Sequence, residues 1–232
     1  MPTQLRVELS SNQNVTALLY AAARRDRAGI TLILGHGAGA GQTSNFMVEF
    51  ADALAVRGID IVTFNFLYSE QKRRLPDPTG RLEQCYRDVI EAVLNLLEFK
   101  ENRLAIGGKS MGGRIASQVA AAAAGPVAGL VFLGYPLHPP SRPDRLRAEH
   151  LSRIKAPMLF VQGSRDAFGT PDELCPIIDR LAARADLHIV EGGDHSFKVP
   201  RRSGLRQDEV YHQIQDSIAS WLRRTIAERS RK

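Results

Sequence analysis

The segment Gly108-Lys109-Ser110-Met111-Gly112 places a hydroxyl between two glycines, after a short apolar run and before an Ala-rich helical one. A serine hydroxyl is a weak nucleophile at neutral pH and needs a base that is itself oriented. The G-x-S-x-G spacing fits a strand-to-helix turn so tight that flanking side chains would clash, with the hydroxyl held out above it. Base and acid should then follow later strands. After 157–161 comes Gly163-Ser164-Arg165-Asp166, and after 187–190 comes Gly192-Gly193-Asp194-His195. Ser110, Asp166 and His195 are therefore the candidate nucleophile, orienting acid and base. Other histidines fit less well: His188 alternates within a strand, His212 lies on a helix and His150 sits in a polar segment. Asp172 and Asp194 are rival acids. Asp172 reads better as helix N-terminal charge, and Asp194 adjoins the histidine, a poor geometry for facing its ring.

Two phosphate-binding readings compete for the same glycines. Gly35-x-Gly37-x-x-Ala40 matches a dinucleotide fingerprint, but Asn65 and Phe66 stand where an acid should end the next strand. Gly108-Lys109-Ser110 mimics the end of a P-loop, yet Arg103 occupies the position that motif gives to its first glycine. Neither holds.

The elements that must position these residues are legible in the periodicity. Gln4–Leu9 and Val15–Ala21 are β-type runs separated by a turn, and Gly29–Leu34 leads into a glycine-dense loop. Ser44 could cap a helix over 45–56 that ends at Gly58, followed by the β-rich Ile59–Phe66. Then come a helix over Arg81–Glu98, a strand at Leu104–Gly107, a helix over Met111–Ala124 and a strand at Val127–Leu133. Pro157–Val161, a helix over Pro171–Ala183, Leu187–Val190 and a closing helix over 206–228 complete the series. The pattern predicts an α/β class: a mostly parallel sheet of about eight strands with helices on both faces. Right-handed crossovers place the strand C-termini on one edge, where ligands bind. The irregular stretches Ser69–Gly80 and Leu137–Asp144 should lie there too. No linker divides 1–232, so one domain is expected.

Composition narrows the class further. With 232 residues, 44% of them hydrophobic, the chain can bury a full core. No apolar run reaches the roughly 18 residues of a membrane helix, and MPTQLRVELS lacks the apolar centre of a signal peptide. Cys85 and Cys175 alone make neither a disulfide framework nor a four-ligand zinc site. The expectation is a cytoplasmic protein with no metal, no cofactor and no membrane partner. Of the net charge of +6, four units fall in residues 199–232, where eight cations (Arg201, Arg202, Arg206, Arg223, Arg224, Arg229, Arg231, Lys232) meet four acids. A nucleic-acid surface would add interleaved aromatics or a recognisable module. No nucleic-acid partner is expected.

Taken together, the element order, the His36-Gly37-Ala38-Gly39 loop, the Ser110 turn and the Asp166 and His195 loops resemble the α/β-hydrolase family over nearly the whole length. More narrowly, Gly107–Arg114, Tyr135-Pro136-Leu137-His138 and Gly193-Asp194-His195-Ser196 resemble a dienelactone-hydrolase-like subgroup. That subgroup shares its domain with a testis-expressed protein and a subunit of the nonspecific-lethal chromatin complex. The resemblance implies an oxyanion hole built from the N–H groups of Met111 and Ala38, with His36 shaping the loop. It implies a serine hydrolase acting on a carboxylic ester, thioester or similar acyl bond of a small molecule. Dienelactone hydrolases use cysteine as nucleophile; Ser110 departs from that, so their particular substrate is not carried over. The alternative is an interaction scaffold with little turnover. Only about twenty residues separate Leu137 from Pro157, too few for a lid domain. A shallow pocket bordered by Asn65, Phe66, Tyr68, Tyr135, His138 and Phe168 is expected. Arg73 and Arg74 read as solvated charge.

Overall fold

A computed structural model describes residues 1–122, 125–200 and 203–227. Ala123 and Ala124 of the expected 111–124 helix, and Arg201, Arg202, Glu228, Arg229, Arg231 and Lys232 among the C-terminal charges, lie outside the described residues.

The two opening β-runs form a hairpin, β1 (Thr3–Glu8) and β2 (Asn14–Tyr20), that joins the sheet antiparallel. The other strands, β3 (Ile30–Gly35), β4 (Asp60–Phe64), β5 (Arg103–Lys109), β6 (Val127–Leu133), β7 (Met158–Gly163) and β8 (Ala185–Val190), pair in parallel. Their spatial order is β1-β2-β4-β3-β5-β6-β7-β8. β3 and β5 therefore lie side by side at the centre, and every parallel strand delivers its C-terminal end to one edge.

Both faces of this sheet are covered because successive strand residues point to opposite sides. Leu32, Leu34, Ile61, Val131 and Leu133 pack against α1 (Asn45–Val56) and α6 (Gln207–Leu222). Ile33, Val62, Ile106, Leu130 and Phe132 pack against α3 (Thr79–Leu94) and α4 (Met111–Ala121). This is the α/β-hydrolase fold. Between Leu137 and Pro157 the chain carries one short turn of helix, Glu149–Arg153, and no lid domain.

Several expected boundaries moved, each for a local reason. The 81–98 helix runs instead over Thr79–Leu94; Leu96 turns extended, which lets Phe99 drop into the core while Leu97 faces solvent. The 171–183 helix, α5 (Pro171–Ile178), is shorter, since Pro176 removes a backbone donor from its middle. The stretch expected as irregular after β4 begins with a helical turn, α2 (Leu67–Glu70), because Leu67 and Tyr68 face inward.

At the centre, Tyr86 ties β3 to β5. The Tyr86 hydroxyl sits between the carbonyls of Ile33 and Gly107, 2.8 and 2.7 Å away. A methyl group on Gly112 would run into the Gly35 carbonyl, and Gly108 holds a φ of +155° against the same residue. Only glycine serves at either position.

Candidate active site

Ser110 follows β5 and precedes the first residue of α4, at φ +50° and ψ −113°. A β-carbon is rarely tolerated there, so the surrounding glycines and the Ser110 N–H bond to Leu133 O (3.0 Å) must impose it. The hydroxyl donates to His195 Nε2 at 2.8 Å, and His195 Nδ1 donates to Asp166 Oδ2, also at 2.8 Å. The acid is 1% exposed, while the imidazole keeps an open edge on the cleft. Three residues from three strand ends thus form one hydrogen-bonded chain.

Asp166 is itself over-determined. Its Oδ1 accepts the Phe168 N–H (2.8 Å), and its Oδ2 accepts Gln162 Nε2 (2.8 Å) besides the histidine. Gln162, buried in β7, also accepts the Tyr135 N–H and donates to Gly169 O, so one side chain ties three loops together. The rival acids are engaged elsewhere: Asp194 accepts the N–H groups of Ser196 and Lys198, and Asp172 lies in the first turn of α5. His150, Nε2 to Ser117 Oγ at 2.7 Å, is pushed down to about 4 by burial and the charge of Arg114.

The loop after β3 is set by His36. Its Nε2 accepts the Phe66 N–H, so Nδ1 carries the proton and donates to Gly37 O at 2.8 Å. Burial lowers the pKa of this ring and favours the neutral form that the pattern requires. Among the described residues Ala38 N–H has no partner, and Met111 N–H, in the first turn of α4, has none within its helix.

Of the six residues expected to border the pocket, Phe168 alone lines the cleft, its ring 4.2 Å from that of His195. Phe66, Tyr68 and Tyr135 are core residues with no more than 1% exposure. The Tyr135 hydroxyl donates to Arg147 O, and Phe66 packs edge-on against His36. His138 is buried against Pro139 O and Glu173, and Asn65 bridges the Gln42 N–H to Glu70. A residue just past a strand can turn up to the rim or down beneath it, and large aromatic surface favours the core.

Lys109 is the site residue that sequence reasoning passed over. It lies between Gly108 and Ser110, is 9% exposed, and donates from Nζ to the His195 carbonyl at 2.6 Å. A charged residue inside an otherwise apolar elbow was the available signal. Burial pulls its ammonium down to about 8, against the attraction of Asp166 and Asp194. Between about pH 8 and 10.5 the unfolded chain holds a proton that the folded one has released, so folding gains stability as pH rises. The wild type is accordingly expected to gain unfolding free energy relative to Lys109→Met across that window, read by urea titration at each pH. A flat difference would mean the ammonium is solvated.

A family model described as an alpha/beta hydrolase domain matches residues 28–223. The chain belongs to that family. Solved structures similar to this α/β hydrolase include a dienelactone hydrolase from Anabaena variabilis, 19% identical, with a TM-score of 0.77 over 97% of this chain and 98% of that one. A serine hydrolase without a lid from Xanthomonas campestris is 19% identical, with a TM-score of 0.71 over 95% and 94% of the two chains. Est1E from Butyrivibrio proteoclasticus is 12% identical, with a TM-score of 0.70 over 93% and 99%. At these identities the likeness is one of fold.

Proposed function

We propose that the protein is a serine hydrolase that cleaves carboxylic esters, thioesters or similar acyl bonds through an acyl-enzyme. The unbroken chain Ser110–His195–Asp166 carries this reading. His195 Nε2 takes the Ser110 proton as Oγ attacks the carbonyl carbon. The oxyanion is met by the N–H groups of Ala38 and Met111. On collapse, His195 returns the proton to the leaving oxygen or sulfur; water, deprotonated by the same nitrogen, then releases the acid and restores Ser110. Asp166 holds the tautomer and stabilises the imidazolium. Esterases and serine hydrolases among the similar structures support the same chemistry.

A scaffold without turnover has no use for a serine held at φ +50°, so the catalytic reading is preferred. Two unpaired cysteines, Cys85 buried and Cys175 exposed, support a reducing, cytoplasmic setting, and 1–232 is read as one catalytic domain. Kinship with the subgroup that includes the testis-expressed and chromatin-complex proteins rests on the motifs quoted above. A fluorophosphonate probe tests the function: it should label the wild type and not Ser110→Ala. Labelling that survives the substitution would move the nucleophile elsewhere.

The missing lid adds an expectation about chain length. Enclosing an acyl tail yields about 25 cal/mol per Å² of apolar area removed from water, and an open cleft forgoes it for distal methylenes. On p-nitrophenyl esters kcat/KM should favour acyl groups of about two to six carbons and then level off. A steady rise to twelve or more carbons would show that another segment closes the site.

A further inference from the structure

Two clefts meet at Ser110 and share Ala38, Ser110 and Phe168. The larger, about 570 Å³, is lined by Phe46, Met47, Lys109, His195, Lys198 and Tyr211. The smaller, about 240 Å³, runs past Met111 and is bounded by Asp77, Leu82, Pro136, Arg114 and Arg147. If the acyl-enzyme reading holds, the leaving oxygen must take its proton from His195, whose ring borders only the larger cleft. The leaving group therefore occupies the larger cleft, and the acyl group points the other way, into the smaller.

That acyl side carries two arginines, Arg114 and Arg147. Arg114 is in the second turn of helix from the nucleophile, its N–H bonded to Ser110 O at 3.0 Å. Its guanidinium reaches only Gln118, at 3.5 Å, and among the described residues no carboxylate lies within 4.0 Å of it or of Arg147. Burial, then the nearby Arg147 charge, lowers the Arg114 pKa. Arg147 is fixed at both main-chain groups, its N–H to Leu137 O and its carbonyl to the Tyr135 hydroxyl. Of the acids nearby, Asp77 is held by Arg73 at 2.7 Å, and Glu83, which attracts Arg114 from a distance, faces Arg87 at 3.7 Å. Two half-buried arginines lining one cleft supply the paired guanidinium donors that suit a carboxylate.

We propose that the acyl group ends in a carboxylate bound by Arg114 and Arg147, so that the substrate is a half-ester or half-thioester of a short dicarboxylic acid. Hydrolysis then yields the free dicarboxylate and the alcohol or thiol. The test compares kcat/KM for mono-p-nitrophenyl glutarate and p-nitrophenyl pentanoate, equal in carbon number, with spontaneous hydrolysis subtracted. The wild type should prefer the glutarate by about tenfold or more. Arg147→Met and Arg114→Met should each lower that ratio about tenfold, and Arg147→Lys should retain part of it. Because the ratio is read within one variant, partial misfolding cancels. Turnover of the pentanoate with no preference for the glutarate, or a preference unchanged in both Met variants, overturns this inference alone. No turnover of either ester, with no Ser110-dependent labelling, overturns the serine-hydrolase reading and this inference with it.

Discussion

Ser110→Ala is expected to lower kcat on an activated ester by about 10⁶-fold while the protein stays folded. The size follows from interdependence: without Oγ, His195 has no proton to take, and Asp166 has no imidazolium to stabilise. What remains is the proposed oxyanion pair, the N–H groups of Ala38 and Met111, expected still to polarise a carbonyl toward attack by water. That residue of activity over the uncatalysed rate is about 10³-fold in comparable constellations. The fold should tolerate the change, since alanine occupies less space and the Ser110 N–H bond to Leu133 O does not involve the side chain. Stopped-flow or plate kinetics with circular dichroism on the same sample would check both halves. A drop of less than about 10³-fold would show that Ser110 is not the group that attacks.

Asp166→Asn should cost about 10⁴-fold in kcat, because it reverses the hydrogen bond to His195 and sets a second NH₂ against the Gln162 amide. Three donors converge on this carboxylate: the Phe168 N–H, Gln162 Nε2 and His195 Nδ1. The Phe168 N–H is main chain and cannot turn, so the asparagine keeps its oxygen there and presents its NH₂ to the other two. Gln162 is itself fixed by Tyr135 and Gly169. His195 must then expose a lone pair at Nδ1, which puts its proton on Nε2, the atom that should accept from Ser110. Nitrogen NMR of the imidazole reports the tautomer directly, alongside kcat/KM. Retention of activity within tenfold of wild type would remove Asp166 from the mechanism.

How much of this was legible beforehand depends on the physical signal each feature leaves in the chain. Strands and helices declare themselves by periodicity, and the glycines around Ser110 by a turn that admits nothing larger; these were readable. That Asp166 and His195 would come together with Ser110 was readable because each lies in the loop after an apolar strand. The border of the cleft was not. Phe66, Tyr68 and Tyr135 stand where a rim residue would stand, but backbone direction beyond a strand end is set by tertiary packing, and the core claimed them. Gln162 and Lys109 failed differently: a polar residue in an apolar segment can be a solvated edge or a buried tie, and only the partner decides. Arg114 and Arg147 are 33 residues apart in the numbering and share a cleft only through the fold.

The contact between Gly35 and the Gly108–Gly112 turn has a further meaning for motion. One donor of the expected oxyanion hole sits on the loop leaving β3, and the proposed nucleophile sits at the end of β5. With the Tyr86 hydroxyl wedged between the two strands and no side chain separating Gly35 from Gly112, neither strand can slide without the other. Thermal fluctuation of the hydroxyl and of the Ala38 N–H is then expected to be correlated, so that the distance between them varies less than the position of either. In the proposed mechanism, the entropy of aligning dipole and nucleophile is lost once, when the chain folds, and not again at each turnover.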